Sequence, residues 1–300
     1  MADIVLYCCT LARDAVRARR MAESVARHNR DNLAFYVSAP RADMGLFRQK
    51  LGSLAQVICE EEILTANPAQ ALARVYSLRG LVQQQVIKAE FWRLGLAQNT
   101  LVVDSDCIFI RDFRRADLLA EPNVPYSVMH EGKDLLQFAE SYGPRRVRSE
   151  FMQDRVPIMR EMGRDGVVYD YGYAPFLWSR RVWSDLAEHL AARGQVLADA
   201  IARHPSEFTW YGEALLRFRS IPIHPRGELF KHYHYEHQYW TDEKLGITRE
   251  TLARDYFGVV YQSNWETWTE FGVPSKRWHS RAARSVKRGM RRVLHLARMS

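Results

Sequence analysis

The chain has 300 residues, 47% of them hydrophobic and 26% charged, with a formal charge of +8. That length and composition suffice for one large apolar core, which excludes a disordered chain and a small disulfide-stapled one. No run of about 18 uninterrupted apolar residues occurs, and no basic segment precedes the first apolar run, so a soluble, unprocessed protein is expected.

The charge is uneven. Nine Lys or Arg and no acid lie between Lys276 and Arg298, so the rest of the chain is near neutral and the tail is the basic element. The four cysteines, Cys8, Cys9, Cys59 and Cys107, fall in predicted strands and form no Cys-x-x-Cys pair. Buried free thiols are expected, not a metal or disulfide site.

The chain opens on a buried-strand pattern over 4–9, followed by Thr10 to Asp14 and a helix with the apolar stripe Ala18, Met21, Ala22 and Val25. A second strand over 33–37, a short helix around 46–51 and a third strand over 56–59 complete a β-α-β-α-β order. A mostly parallel sheet with flanking helices follows from it. In such sheets ligands gather beyond the carboxyl ends of the strands, where Thr10, Arg13 and Ser38 would lie. No Gly-x-Gly-x-x-Gly follows the first strand, which argues against a dinucleotide oxidoreductase.

A long helix is expected over 77–97. Leu78, Val82, Ala89, Trp92 and Leu96 give it an apolar face, and Gln84, Gln85 and Lys88 make a polar cluster within it. A snorkelling lysine beside solvated glutamines is the plain reading; a cation and amides aimed at a ligand is the functional one. The helix runs into an apolar strand over 101–110 that delivers two carboxylates, Asp104 and Asp106, one residue apart. In an extended chain both would face one volume, and two ionised groups there repel unless a cation sits beside them. A hard divalent ion, Mg²⁺ or Mn²⁺, suits those oxygen ligands. Capping of backbone groups at a strand-end turn is the alternative.

Beyond it, 126–130 reads as a strand and 150–162 as a charged helix. Tyr169 to Trp178 packs aromatics around Asp170 and Gly172, which suits a sugar ring or a core strand at a bend. Ser206 and Glu207 read as the N-cap and first-turn acid of a helix that also carries Glu213. After a strand over 221–224, His232 and His234 share one face if extended, suiting metal or diphosphate contact or simply a surface loop. In the tail, Ala282, Val286, Met290, Val293, Leu294 and Ala297 make an apolar stripe amid the cations. Such a helix most naturally lies on an anionic membrane, gaining about 1 kcal/mol per basic residue. Nucleic-acid binding and packing against the domain are the competing roles.

A β-α-β half, a helix bearing Gln84-Gln85-x-x-Lys88, and an apolar strand ending in Asp104-Ser105-Asp106 and continuing Cys-Ile-Phe-Ile-Arg-Asp-Phe together resemble the GT-A fold glycosyltransferases. The likeness is to the bacterial branch related to glycogenin-type enzymes and spans about residues 3–240. It implies an α/β GT-A domain over 1–275 with 276–300 as an appended basic helix. It also implies transfer of a hexose from a nucleotide-sugar, and the basic tail adds an envelope or lipid-linked glycan as the expected acceptor. By position, Asp104 and Asp106 would hold Mn²⁺ or Mg²⁺ with His234, or else His232, as a further ligand. Thr10, Arg13, Gln85, Lys88 and Ser105 would contact the donor. Glu207, or secondarily Glu213, would take the acceptor proton, and Asp170 would lie between donor and acceptor. The glycogenin-type signature His-x-x-Gly-x-x-Lys-Pro-Trp is absent, which leaves the histidine ligand open. The partners implied are a nucleotide-sugar, a glycan or lipid-linked acceptor and an anionic membrane through 276–298, with nucleic acid disfavoured. The location implied is cytoplasmic, on the inner face of the plasma membrane. Two other classes remain. A haloacid-dehalogenase-type phosphatase also uses an apolar strand and Asp-x-Asp, but there the strand opens the domain and a later Asp-Asp pair follows. A non-catalytic module could act through the tail on membrane or RNA.

Overall fold

The computed structural model describes residues 1–132, 144–234 and 236–262, together with 136, 286, 289, 290 and 293. The first half runs Ala2–Cys9 (β1), Ala15–His28 (α1), Phe35–Ala39 (β2), Met44–Leu51 (α2), Gln56–Cys59 (β3), Glu60–Thr65 (α3), Leu72–Tyr76 (α4), Gly80–Glu90 (α5) and Ala97–Val102 (β4). Next come Cys107–Phe109 (β5), Leu119–Glu121 (β6), Val124–Pro125 (β7), Ser127–Val128 (β8), Pro144–Glu161 (α6), Phe176–Ser179 (β9) and Arg180–Ala191 (α7). Leu197–Arg203 (α8), Glu207–Phe218 (α9), Pro225–Arg226 (β10), Phe230–Tyr233 (β11), Glu236–Lys244 (α10), Arg249–Leu252 (α11) and Gly258–Tyr261 (β12) follow.

The expected α/β architecture is present. Five strands form one sheet in the order β3-β2-β1-β4-β9, parallel except for β9, which runs antiparallel to β4. Leu6 is registered between Phe35 on one side and Leu101 on the other. Ile4 to Cys9 are buried without alternation, so helices cover both faces of the sheet, as parallel strands require. Ala18, Met21, Ala22 and Val25 of α1 are all buried, which places the stripe read from the sequence against the core. All four cysteines lie in strands and are buried and free.

Three elements differ from the sequence reading. The helix expected over 77–97 ends at Glu90, tightens into one 3-10 turn over Phe91–Leu94 and stops at Gly95, whose φ of 64° is left-handed. A glycine tolerates that conformation and frees the next residues for β4. The apolar run over 101–110 is not one strand: β4 stops at Val102, and β5 belongs to a second sheet of order β11-β12-β5. The 221–224 segment is not a strand; only Pro225 and Arg226 pair, with β8.

The basic tail, 276–300, lies outside the described residues except at four positions. Three of these, Val286, Met290 and Val293, are 63%, 63% and 66% exposed. Among the described residues no helix is long and apolar enough to cross a membrane.

Candidate functional site

In the order β3-β2-β1-β4 the chain reverses direction of growth between β1 and β4, and a crevice opens beyond the carboxyl ends of those strands. A cavity of about 720 Å³ sits there. Thr10 and Arg13 reach it from the end of β1, Gln85 and Lys88 from α5, and Asp104, Ser105 and Asp106 from the end of β4. Glu207 at the start of α9 and His232 and His234 at the end of β11 close the opposite wall. These ten positions singled out in the sequence, and Gln84 with them, line one cavity.

Asp104 and Asp106 do not occupy an extended strand. The Cys107 amide donates to the Asp104 carbonyl at 3.0 Å, closing a four-residue turn between the two sheets. Asp104 is about a third exposed and Asp106 is buried. The Lys88 ammonium, 5% exposed, donates to Asp104 Oδ1 at 2.5 Å and lies 3.7 Å from Glu207 Oε1. Burial works against the charged lysine, but Asp104 and Glu207 outweigh it and hold its pKa above the ordinary value. Glu207 itself is raised: burial dominates, and the single ammonium it shares with Asp104 offsets this only in part. Its Oε2 has no hydrogen-bond partner among the described residues, and the same is true of Thr10 Oγ1 and Gln85 Oε1. Buried polar atoms of this kind cost stability unless something satisfies them.

The amides are pinned. Gln84 donates to the Cys9 carbonyl at 2.9 Å and Gln85 to the Pro205 carbonyl at 3.4 Å, which ties α5 to β1 and to the entry of α9. The plain reading of a snorkelling lysine is thereby overturned: Lys88 is buried and paired. Arg13 sits at the rim, 66% exposed, beside Asp14 at 3.2 Å.

His232 and His234 differ. Both ring nitrogens of His232 have partners, Nε2 with the Ala174 carbonyl at 2.8 Å and Nδ1 with Glu228 Oε2 at 3.4 Å. Burial lowers its pKa, but Glu228 outweighs it and the net shift is upward. Among the described residues no hydrogen bond engages the His234 ring, which meets Tyr173 edge-on at 4.6 Å. Burial, then His232, pushes its pKa down to about 3, leaving a neutral imidazole.

Two carboxylates and a neutral imidazole are chemically suited to Mn²⁺ or Mg²⁺. Among the described residues, however, no group of three or more His, Cys, Asp or Glu side chains is placed to hold an ion. The arrangement therefore fits an ion shared between Asp104, Asp106 and oxygens of a ligand. His234 stands on the cavity wall, outside any preformed cage.

Three expected contacts lie elsewhere. Glu213 points away from the cavity: Arg164 grips its oxygens at 2.6 and 2.8 Å and the Tyr171 hydroxyl donates at 2.7 Å. Tyr171 packs so closely on α9 that a side chain at Gly212 would fall about 2.1 Å from its ring, so the glycine is what admits the tyrosine. Asp170 is fully buried behind the wall, accepting from Arg155 at 2.9 Å and from the Gly172 amide at 3.2 Å. Ser38 is buried under Tyr7, 2.8 Å from its hydroxyl.

The sequence reading missed a third wall, where α6 brings Phe151, Gln153, Asp154 and Arg155 to the cavity and α9 adds Phe208. Phe151 and Arg155 are four apart on a helix, but in so charged a segment that spacing marks nothing. No curated protein matches the chain. Residues 2–272 match the Family of unknown function (DUF6492), and the chain belongs to that family.

Proposed function

We propose that the protein is a metal-dependent glycosyltransferase of GT-A type, moving a hexose from a nucleotide-diphosphate donor to an envelope or lipid-linked glycan. The observation that carries this reading is the meeting of Asp104, Asp106, Lys88 and Glu207 on one cavity beyond the carboxyl ends of β1 and β4. Asp104 and Asp106 would hold Mn²⁺ or Mg²⁺, which when bound stabilises negative charge developing on the departing diphosphate. Lys88 adds a fixed ammonium to that end of the cavity. Thr10 and Gln85, whose Oγ1 and Oε1 have no partner among the described residues, line the donor side with Ser105 and Arg13. Glu207 Oε2 takes the acceptor's hydroxyl proton, and its raised pKa makes it the stronger base for that step.

The nine cations of 276–298 and the exposed apolar side chains of Val286, Met290 and Val293 suit an anionic membrane face, where a lipid-linked acceptor would be found. The enzyme would then work at the cytoplasmic side of the membrane.

Calorimetric titration with UDP, GDP and their sugars, in Mn²⁺ and then in EDTA, tests the reading. Metal-dependent binding of one nucleotide is expected in the wild type and its loss in Asp106→Asn, with an unchanged circular dichroism spectrum. Binding of no nucleotide by the wild type, or equal Mn²⁺-supported affinity in Asp106→Asn, would refute it.

A further inference from the structure

The wall formed by α6, α9 and the segment before β9 has its own chemistry. Tyr173 and Phe208, both half-buried and both lining the cavity, hold their rings 6.0 Å apart at 47°. Phe176 stacks on Phe208 at 5.6 Å and 11°, so the Phe208 ring is braced while it lines the cavity. The Arg155 guanidinium lies 3.9 Å from the Phe151 ring centre and 5.4 Å from that of Phe208. Arg155 is 3% exposed, and its Nε donates to nothing among the described residues although the side chain lines the cavity. The guanidinium thus braces the aromatic wall from within and is itself held by Asp170 at 2.9 Å.

Charge decides which ligand. Among the described residues of the lining, Arg13, Lys88 and Arg155 are the full cations. Each already has a carboxylate: Asp14 at 3.2 Å, Asp104 at 2.5 Å and Asp170 at 2.9 Å. His232 has Glu228 at 3.4 Å. Asp106, Asp154 and Glu207 add further carboxylates to the lining. A donor diphosphate and a divalent ion cancel, so among the described residues of the lining the one cation not fully matched is Arg13, which shares Asp14 with Arg17 and stands 66% exposed at the rim. A second anion in this cavity would be desolvated without a counter-charge.

Resting on the transferase reading, we infer that the acceptor is an uncharged sugar ring seated on Tyr173 and Phe208 beside Glu207. Glu207, Phe208 and Tyr173 line the same cavity, so a ring seated there shares it with the base. A lipid phosphate is thereby disfavoured as the reacting group; the lipid of a lipid-linked acceptor stays outside, and its sugar enters. Aromatic faces bind the apolar faces of such rings, and the polar atoms fix their orientation.

Saturation-transfer NMR on the full chain tests this, using methyl glycosides of glucose, galactose and mannose as neutral probes and methyl glucuronide and citronellyl phosphate as anionic ones. At least one neutral glycoside is expected to bind about fivefold or more tighter than either anion. Phe208→Leu should weaken it about fivefold while UDP or GDP titrates as in the wild type. Gln153→Lys, at an exposed lining position, guards against a folding defect in the first variant and should narrow the gap between glucuronide and neutral glycoside. Preference for an anionic probe, or unchanged glycoside binding by folded Phe208→Leu, overturns the inference. Nucleotide binding without any glycoside binding overturns it alone. Glycoside binding without nucleotide binding keeps the sugar subsite and overturns the transferase reading.

Discussion

Lys88 and Asp104, sixteen residues apart in the chain, meet at 2.5 Å where α5 passes the end of β4, and the ammonium is almost wholly enclosed. Removing the cation leaves Asp104 and buried Glu207 facing each other without compensation. Lys88→Met is expected to cost about 3–5 kcal/mol of stability, the range for breaking a buried pair on one side. It should also weaken nucleotide binding more than about tenfold. Urea denaturation and calorimetry would check the two effects; wild-type nucleotide affinity in a folded Lys88→Met protein would remove Lys88 from the donor site.

Glu207 and Glu213 are six residues apart on one helix and do different work. Glu207→Gln is expected to leave donor affinity within about twofold and to lower sugar release from the donor about 100-fold or more. Glu213→Gln, which loosens the grip of Arg164 and Tyr171, is expected to cost about 2–3 kcal/mol of stability with donor affinity intact. A reversed pattern, with turnover lost in Glu213→Gln and kept in Glu207→Gln, would exchange the two roles.

Glu60 opens α3 and lies 3.5 Å from the Cys9 thiol, which donates to it. Burial above all pushes its carboxyl up to about 7. The folded chain keeps this proton through a pH range in which the unfolded chain has released it. The contribution to stability is therefore full below the ordinary carboxylate range and is lost as pH rises through about 7. Glu60→Gln should flatten that dependence and gain on the order of 2 kcal/mol over the wild type at pH 8. Urea midpoints at pH 5 and pH 8 for both proteins measure it; parallel pH profiles would show that Glu60 ionises normally.

Deleting 276–300 is expected to abolish sedimentation with vesicles rich in phosphatidylserine and to leave nucleotide titration unchanged. The wild-type interaction should weaken steeply with salt, since each basic residue contributes about 1 kcal/mol near an anionic surface. Equal vesicle binding by the truncated chain would place the membrane contact in the domain.

Much of the fold was legible because it rests on short-range pattern. The stripe Ala18, Met21, Ala22 and Val25 is a local statement of a helix facing a core, and the apolar run over 4–9 a local statement of a strand covered on both faces. Thr10, Arg13, Lys88, Asp104 and Glu207 could be singled out because polar residues near the ends of apolar elements coincide with positions that the GT-A resemblance gives a role, although each also has a plain structural reading. What no local pattern could tell was pairing across space. The ammonium of Lys88 meets Asp104 because α5 ends at Glu90 and the 3-10 turn after it stops at Gly95, turning the chain back into β4. Glu213 is drawn off by Arg164, forty-nine residues earlier, and Arg155 reaches the cavity only because Asp170 neutralises it from behind. Periodicity and chain order thus determined the layers and which carboxylates stand at strand and helix ends. The tertiary structure alone decided which of them line the cavity and which are taken by a cation elsewhere, since a charge's partner is set by distance in space and its burial by elements far away in the chain.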